Sequence, residues 1–324
     1  MKNILVILLA TLLFSCDKEN MKLSGDVFGT TYHIQYYSKE HENYQHKIDL
    51  LLADVNKSMS TYTPDSEISM VNNNEDPRVD KHFVRVFQEA KKIYQETNGV
   101  FDPTIGLVVN AWDFGPEEKI QNLDSLKIDS LMTFVGFDKV LLEDHKIKKP
   151  LGAYLDFNAI AKGYGVDVVG EFLEDQEITD YVVEIGGEIR CKGMNIEKNK
   201  PWKVGVEMPH FDGTQSIIKA IELMDASMAT SGTYRKFKTD DNGNRYSHII
   251  DTRTGYPSKT NLLSISVITD QCMTADAYAT AFKAMGLEGV KTFLKSHPEL
   301  RVFLIFENET GELETMNLNG FPDQ

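Results

Sequence analysis

Positive charge is scarce in this chain of 324 residues: 34 lysines and arginines face 49 acidic residues, a formal net charge of -15. A surface that acidic argues against nucleic acid as a partner. It also obliges an anionic ligand to find local help from a metal ion or a lysine. Long apolar runs are missing too, since Ile4 to Leu13 falls short of the roughly 20 residues that a membrane-spanning helix needs. No internal repeat, heptad run, low-complexity segment or long linker is present, which argues against a solenoid, a coiled coil or a disordered chain. Cysteine is limited to Cys16, Cys191 and Cys272. Cys191 and Cys272 can pair in an oxidising compartment or stay as buried thiols, and nothing in the sequence demands either.

What is present is a hydrophobic content of 41%, enough for a substantial core. The length allows one large domain or two closely joined ones. Met1 to Ser15 stands apart, with Lys2 as a positive start, the short apolar run, and Leu13-Phe14-Ser15 ahead of Cys16. This resembles a bacterial lipoprotein signal. It implies a signal peptide over 1–15, a lipid on the Cys16 thiol, a polar tether over 16–22, and a globular unit over 23–324 with room for two packed subdomains. The expected location is the cell envelope, outside the cytoplasm and on its periplasmic side.

Along the globular unit, Leu23 to Tyr37 alternates as two strands around a turn. Ile48, Leu51, Leu52, Val55 and Met59 fall on one helical face, as do Phe83, Val86, Phe87, Ala90 and Tyr94. Tyr181 to Arg190 reads as a strand bent at Gly186-Gly187. Trp202–Glu207, Ile217–Leu223 and Ala226–Thr230 read as a meander, and 240–244 as a hairpin turn feeding Arg245 to Ile250. Helices and mostly adjacent strands alternate irregularly. The expected fold class is therefore α+β, with mixed, largely antiparallel sheets and packed helices.

Three clusters carry candidate chemistry. At Leu155 to Asp167 an apolar run ends in Asp156, Asn158 is placed to cap a helix, and Lys162 follows early in it. Such a strand-to-helix corner joins free amides, a positive dipole end, a carboxylate and a cation, a set suited to phosphate groups and a divalent metal, although an ordinary junction with a solvated lysine has the same pattern. Asp276 and Thr280 share one face of a second helix, expected to be capped by Thr274, and alanines around them admit close neighbours. A carboxylate and a hydroxyl there make a half-site for a hard cation such as magnesium, or an ordinary surface contact. His248, read as lying mid-strand beside Ile249 and Ile250, can act as a general base or be structural.

Taken together with Met59-Ser60-Thr61-Tyr62, Gly99 to Thr104, Asn110 to Gly115, Gly186-Gly187-Glu188, Thr230-Ser231-Gly232 and His248 to Pro257, these clusters resemble the bacterial FAD:protein FMN transferases, once grouped with thiamine biosynthesis lipoproteins. The match runs from about Phe28 to about Met285. The resemblance implies a magnesium-dependent enzyme that moves the FMN moiety of FAD onto a threonine or serine hydroxyl of an acceptor protein and releases AMP. It implies magnesium ligands at Asp276, Thr280 and the Ala159 carbonyl. FAD contacts are implied at Phe28, Tyr62, Trp112, Asp156, Lys162 and the strand around Ile250, with His248 as the base. Tyr62, Trp112 and Phe114 are expected to form flat walls for the isoalloxazine ring. The sequence departs from the family pattern at Phe28, Phe157, Asn158 and Thr252, none of which removes a functional group. An FAD-splitting hydrolase and a non-catalytic flavin-binding lipoprotein remain as alternatives.

Overall fold

The computed structural model describes residues 18–234, 237–239 and 245–323, so the signal segment, Cys16 and the turn at 240–244 lie outside the described residues. The alternating start of the chain folds as a hairpin, with β1 (Glu19–Val27) and β2 (Thr30–Ser38) paired antiparallel. β1 begins inside the segment read as a tether. Phe28 and Gly29 make the two-residue turn with φ of 50° and 73°, the left-handed pair whose twist matches the flanking strands. The first apolar face becomes α1 (Gln45–Met59), followed by α2 (Glu67–Asn72), whose first turn is capped by Ser66 Oγ accepting from the Ser69 amide. α3 (Lys81–Glu96) is capped in the same way by Asp80 and stops before Asn98-Gly99, both at positive φ.

Next come α4 (Gly106–Ala111), α5 (Ser125–Met132) and the small hairpin of β3 (Leu141–Glu143) and β4 (Lys146–Lys148). α6 (Ala161–Asp175) leads to β5 (Tyr181–Ile185) and β6 (Glu188–Lys192). The expected single bent strand is thus a hairpin. Gly186 and Gly187 form its turn at φ of 60° and 104°, because two successive positive φ values reverse the chain rather than bend it. β7 (Trp202–Glu207) and β8 (Ile217–Leu223) pair with each other, while β9 (Ala226–Gly232) leaves them to insert between other strands. The expected meander therefore breaks after its second strand. β10 (Phe237–Thr239) and β11 (Arg245–Ser247) form a short hairpin, then β12 (Leu262–Thr269), α7 (Cys272–Phe293), β13 (Arg301–Glu307) and β14 (Leu313–Leu318) complete the chain. α7 breaks internally at Gly286, φ 76°.

The main sheet has the order β1-β2-β5-β6-β9-β12-β13-β14, and each neighbouring pair is antiparallel. With helices packed on it, the fold is α+β as expected. β12 is buried on both faces, which requires a layer on each side. Ile265 and Val267 face the helical layer with Ala275, Ala279 and Phe282 of α7. Ile268 faces the other way, against Trp202, Val204 and Ile221 of the β7-β8 hairpin. Cys191 lies in that hairpin layer and Cys272 at the start of α7, so the two thiols are free and do not pair. Among the described residues, no helix is long and apolar enough to cross a membrane.

Candidate active site

α6 and α7 meet at their N-termini, and each terminates the other. Asp167 of α6 accepts from the Cys272 and Met273 amides at 3.0 and 2.9 Å, which satisfies two free donors at the start of α7. Asp276 of α7 accepts from the Gly163 amide of α6 at 3.0 Å. These cross-caps replace both expected ones. Asn158 does not cap α6, since its amide donates to Asp156 Oδ1 at 2.7 Å and Ile160 occupies the capping position. Thr274 lies inside α7 and its hydroxyl donates to Glu89 at 2.8 Å. The contact requires glycine at 163, because a Cβ there would lie 2.4 Å from the Cys272 carbonyl oxygen.

The Gly163 amide thus goes to Asp276 and not to the Ala159 carbonyl four residues back, where a continuing helix would send it. That carbonyl stays available at the cavity wall. Ser231 of β9 holds Thr280 Oγ1 at 3.1 Å. Lys162 reaches across to Glu188 at the start of β6, Nζ to Oε1 2.5 Å. Burial works to lower the Lys162 ammonium, but the carboxylates of Glu188 and Asp276 outweigh it and hold it above its ordinary value. Burial raises both carboxyls, against the pull of Lys162. A further cation beside them would favour the ionised form of both carboxyls, as Lys162 does.

These groups open onto a cavity of about 1490 Å³. Phe28, Tyr62, Asp156, Ala159, Lys162, His248, Ile250, Asp276 and Thr280 all line it, and so do Phe114 and Glu188. Phe28 projects from the β1-β2 turn against α6, where Gly165 leaves room for its ring. His248 sits just past the end of β11, not mid-strand, and its ring meets Phe114 edge-on with centroids 6.2 Å apart. The displacement follows from the chain turning at Ile249, whose carbonyl accepts from the Ser258 amide at 2.8 Å, and from the single bridge of Ile250 to Pro257.

Trp112 is the exception. It lines a neighbouring depression of about 360 Å³ with Lys238 and Tyr246, and its indole N–H donates to the Gly255 carbonyl at 2.9 Å. Packed between Tyr246 and Tyr256, it buttresses the wall that Phe114 presents to the cavity. Sequence reasoning also gave no role to Glu188 and Ser231. The Gly186-Gly187 turn was the available signal for Glu188, since it starts a returning strand at that residue.

The profile of the ApbE family matches residues 28–304. The chain belongs to the ApbE family. A protein of Haemophilus influenzae named FAD:protein FMN transferase is 38% identical over 95% of this chain and 93% of its own length. Its namesake in Vibrio cholerae is 38% identical over 96% of both chains. The solved flavin transferase ApbE from Vibrio cholerae superposes with a TM-score of 0.83 at 36% identity, covering 93% of this chain and 97% of that one. That structure therefore shares the α+β architecture described above.

Proposed function

We propose that this ApbE protein is an FAD:protein FMN transferase that joins the FMN moiety of FAD to a threonine or serine hydroxyl of an acceptor protein and releases AMP. The observation that carries this reading is the convergence of Lys162, Asp276, Thr280 and His248 on one cavity that also has aromatic walls. Magnesium fits the donor set: the Asp276 carboxylate, the Thr280 hydroxyl and the Ala159 carbonyl are hard oxygen ligands, and the last is relieved of its helical hydrogen bond. Among the described residues no cluster of three or more His, Cys, Asp or Glu side chains forms, in keeping with a ligand set drawn partly from hydroxyl and main chain. Magnesium, when bound, supplies charge neutralisation to the pyrophosphate.

The protein's own groups do the rest. Lys162 presents its ammonium to the phosphate oxygens, where charge develops during transfer. The acceptor hydroxyl forms a bond to the FMN-side phosphorus as the bond to AMP breaks, and His248 takes the hydroxyl proton. Phe28, Tyr62 and Phe114 supply flat surface for the isoalloxazine ring. We place the enzyme in the cell envelope, held by lipid on Cys16.

The test incubates the chain with FAD, magnesium and a candidate acceptor protein, then looks for flavin fluorescence that survives denaturing electrophoresis. A covalent band is expected. AMP release without it would instead mark a hydrolase, and tight FAD without AMP a binding protein. His248→Ala is expected to slow transfer by about 100-fold or more while FAD affinity stays near that of the parent; equal losses in both would make His248 a ligand contact.

A further inference from the structure

Two of the buried carboxylates at the site, Asp167 and Glu188, are built differently. Asp167 uses both oxygens, one shared between the Cys272 amide and Arg190, the other on the Met273 amide. It is a fully satisfied structural group. Glu188 is nearly as deeply buried, with 3% of its side chain exposed, yet among the described residues its side-chain partner is Lys162 alone, through Oε1. Among the described residues Glu188 Oε2 has no hydrogen-bond partner. A buried carboxylate with an unsatisfied oxygen costs stability, and a neutral residue of the same shape would tie β6 to α6 more cheaply.

That cost has to be set against what Lys162 needs. Its side chain is one-third exposed and lines the cavity. A lysine ammonium is a mobile charge on a flexible stem with three donors. One donor held by Glu188 leaves others for acceptors in the cavity that Lys162 lines, and a pyrophosphate offers only acceptors. We propose that Glu188 is a positioning residue for flavin transfer, acting through Lys162 by holding its ammonium in the cavity wall at the height of the pyrophosphate. This rests on the transferase reading given above.

A double-mutant cycle on the full chain in detergent tests it, with Glu188→Gln, Lys162→Met and the double variant. FAD affinity is measured by flavin fluorescence without acceptor, and kcat and KM from covalent flavin formation. Glu188→Gln keeps shape and leaves the Lys162 charge in place, so FAD affinity is expected within about threefold of the parent while kcat falls about 10- to 100-fold. In the Lys162→Met background the same change is expected to cost nothing further. Parallel losses of affinity, kcat and melting temperature would reduce Glu188 to a structural tie and overturn the proposal. So would a kcat loss that persists without Lys162. If the parent splits FAD with no covalent product, the transferase reading falls, and the same cycle read on AMP release still decides the role of Glu188.

Discussion

Lys283 illustrates how much one residue in this fold costs. It lies on α7, fully buried, and its ammonium donates to Thr260 Oγ1 at 2.8 Å. Burial lowers it from the ordinary 10.5 to about 8. The sign follows directly: below pH 8 both folded and unfolded chains hold the proton, and the folded state bears the whole cost of a buried charge, about 3 kcal/mol. Between the two values the unfolded chain holds a proton that the folded chain has lost, so this residue's penalty shrinks as pH rises and vanishes above 10.5. Lys283→Met keeps the volume and removes the charge. Denaturant unfolding should show the variant more stable at pH 7 by about 2–3 kcal/mol, with the gap narrowing by about 2 kcal/mol at pH 9.5. A gap that stays constant across that range would mean that folding does not lower the Lys283 ammonium, which then keeps its proton in both states up to pH 9.5.

At the scale of elements, everything at the site depends on α6 and α7 touching at their first turns. Alanine at 163 would place its Cβ 2.4 Å from a backbone carbonyl, which a side-chain rotation cannot relieve. The helices must then separate, and the Asp276 bond to the Gly163 amide opens. Gly163→Ala is expected to lose about 1–3 kcal/mol of stability and most covalent flavin transfer together; a variant as stable and active as the parent would show that the close approach is dispensable. This junction also marks where sequence stops informing. The helices, the Asp276–Thr280 face and the strand-to-helix corner were legible because each is a pattern within a dozen residues. The caps were not, since the amides of Gly163 and Cys272 find their acceptors 113 and 105 residues away. The same holds for the Lys162–Glu188 pair and for the displacement of Trp112. Local chemistry named candidates such as Asn158 and Thr274, and tertiary contacts supplied better acceptors.

For the whole molecule, the sheet order explains why a sequence reading can find the class and miss the topology. β12 is buried on both faces along nearly its whole length, a property that its apolar content reveals, but which strands flank it follows from pairing across the chain. The same layout bears on anchoring. Lys18, whose ammonium bonds Asp180 at 2.5 Å, lies one residue before β1 at the edge of the main sheet. A lipid on Cys16 would therefore hold that sheet edge close to the membrane, since the chain from Cys16 to Glu19 spans no more than about 11 Å. A net charge of -15 repels an anionic lipid surface overall, so attachment would rest mainly on the acyl chains. Two outcomes follow for cell fractionation: the parent chain stays with membranes through high-salt washing, and Cys16→Ser moves to the soluble fraction with its flavin transfer per molecule unchanged. Release of the parent by salt, or retention of the serine variant, would place the attachment somewhere other than Cys16.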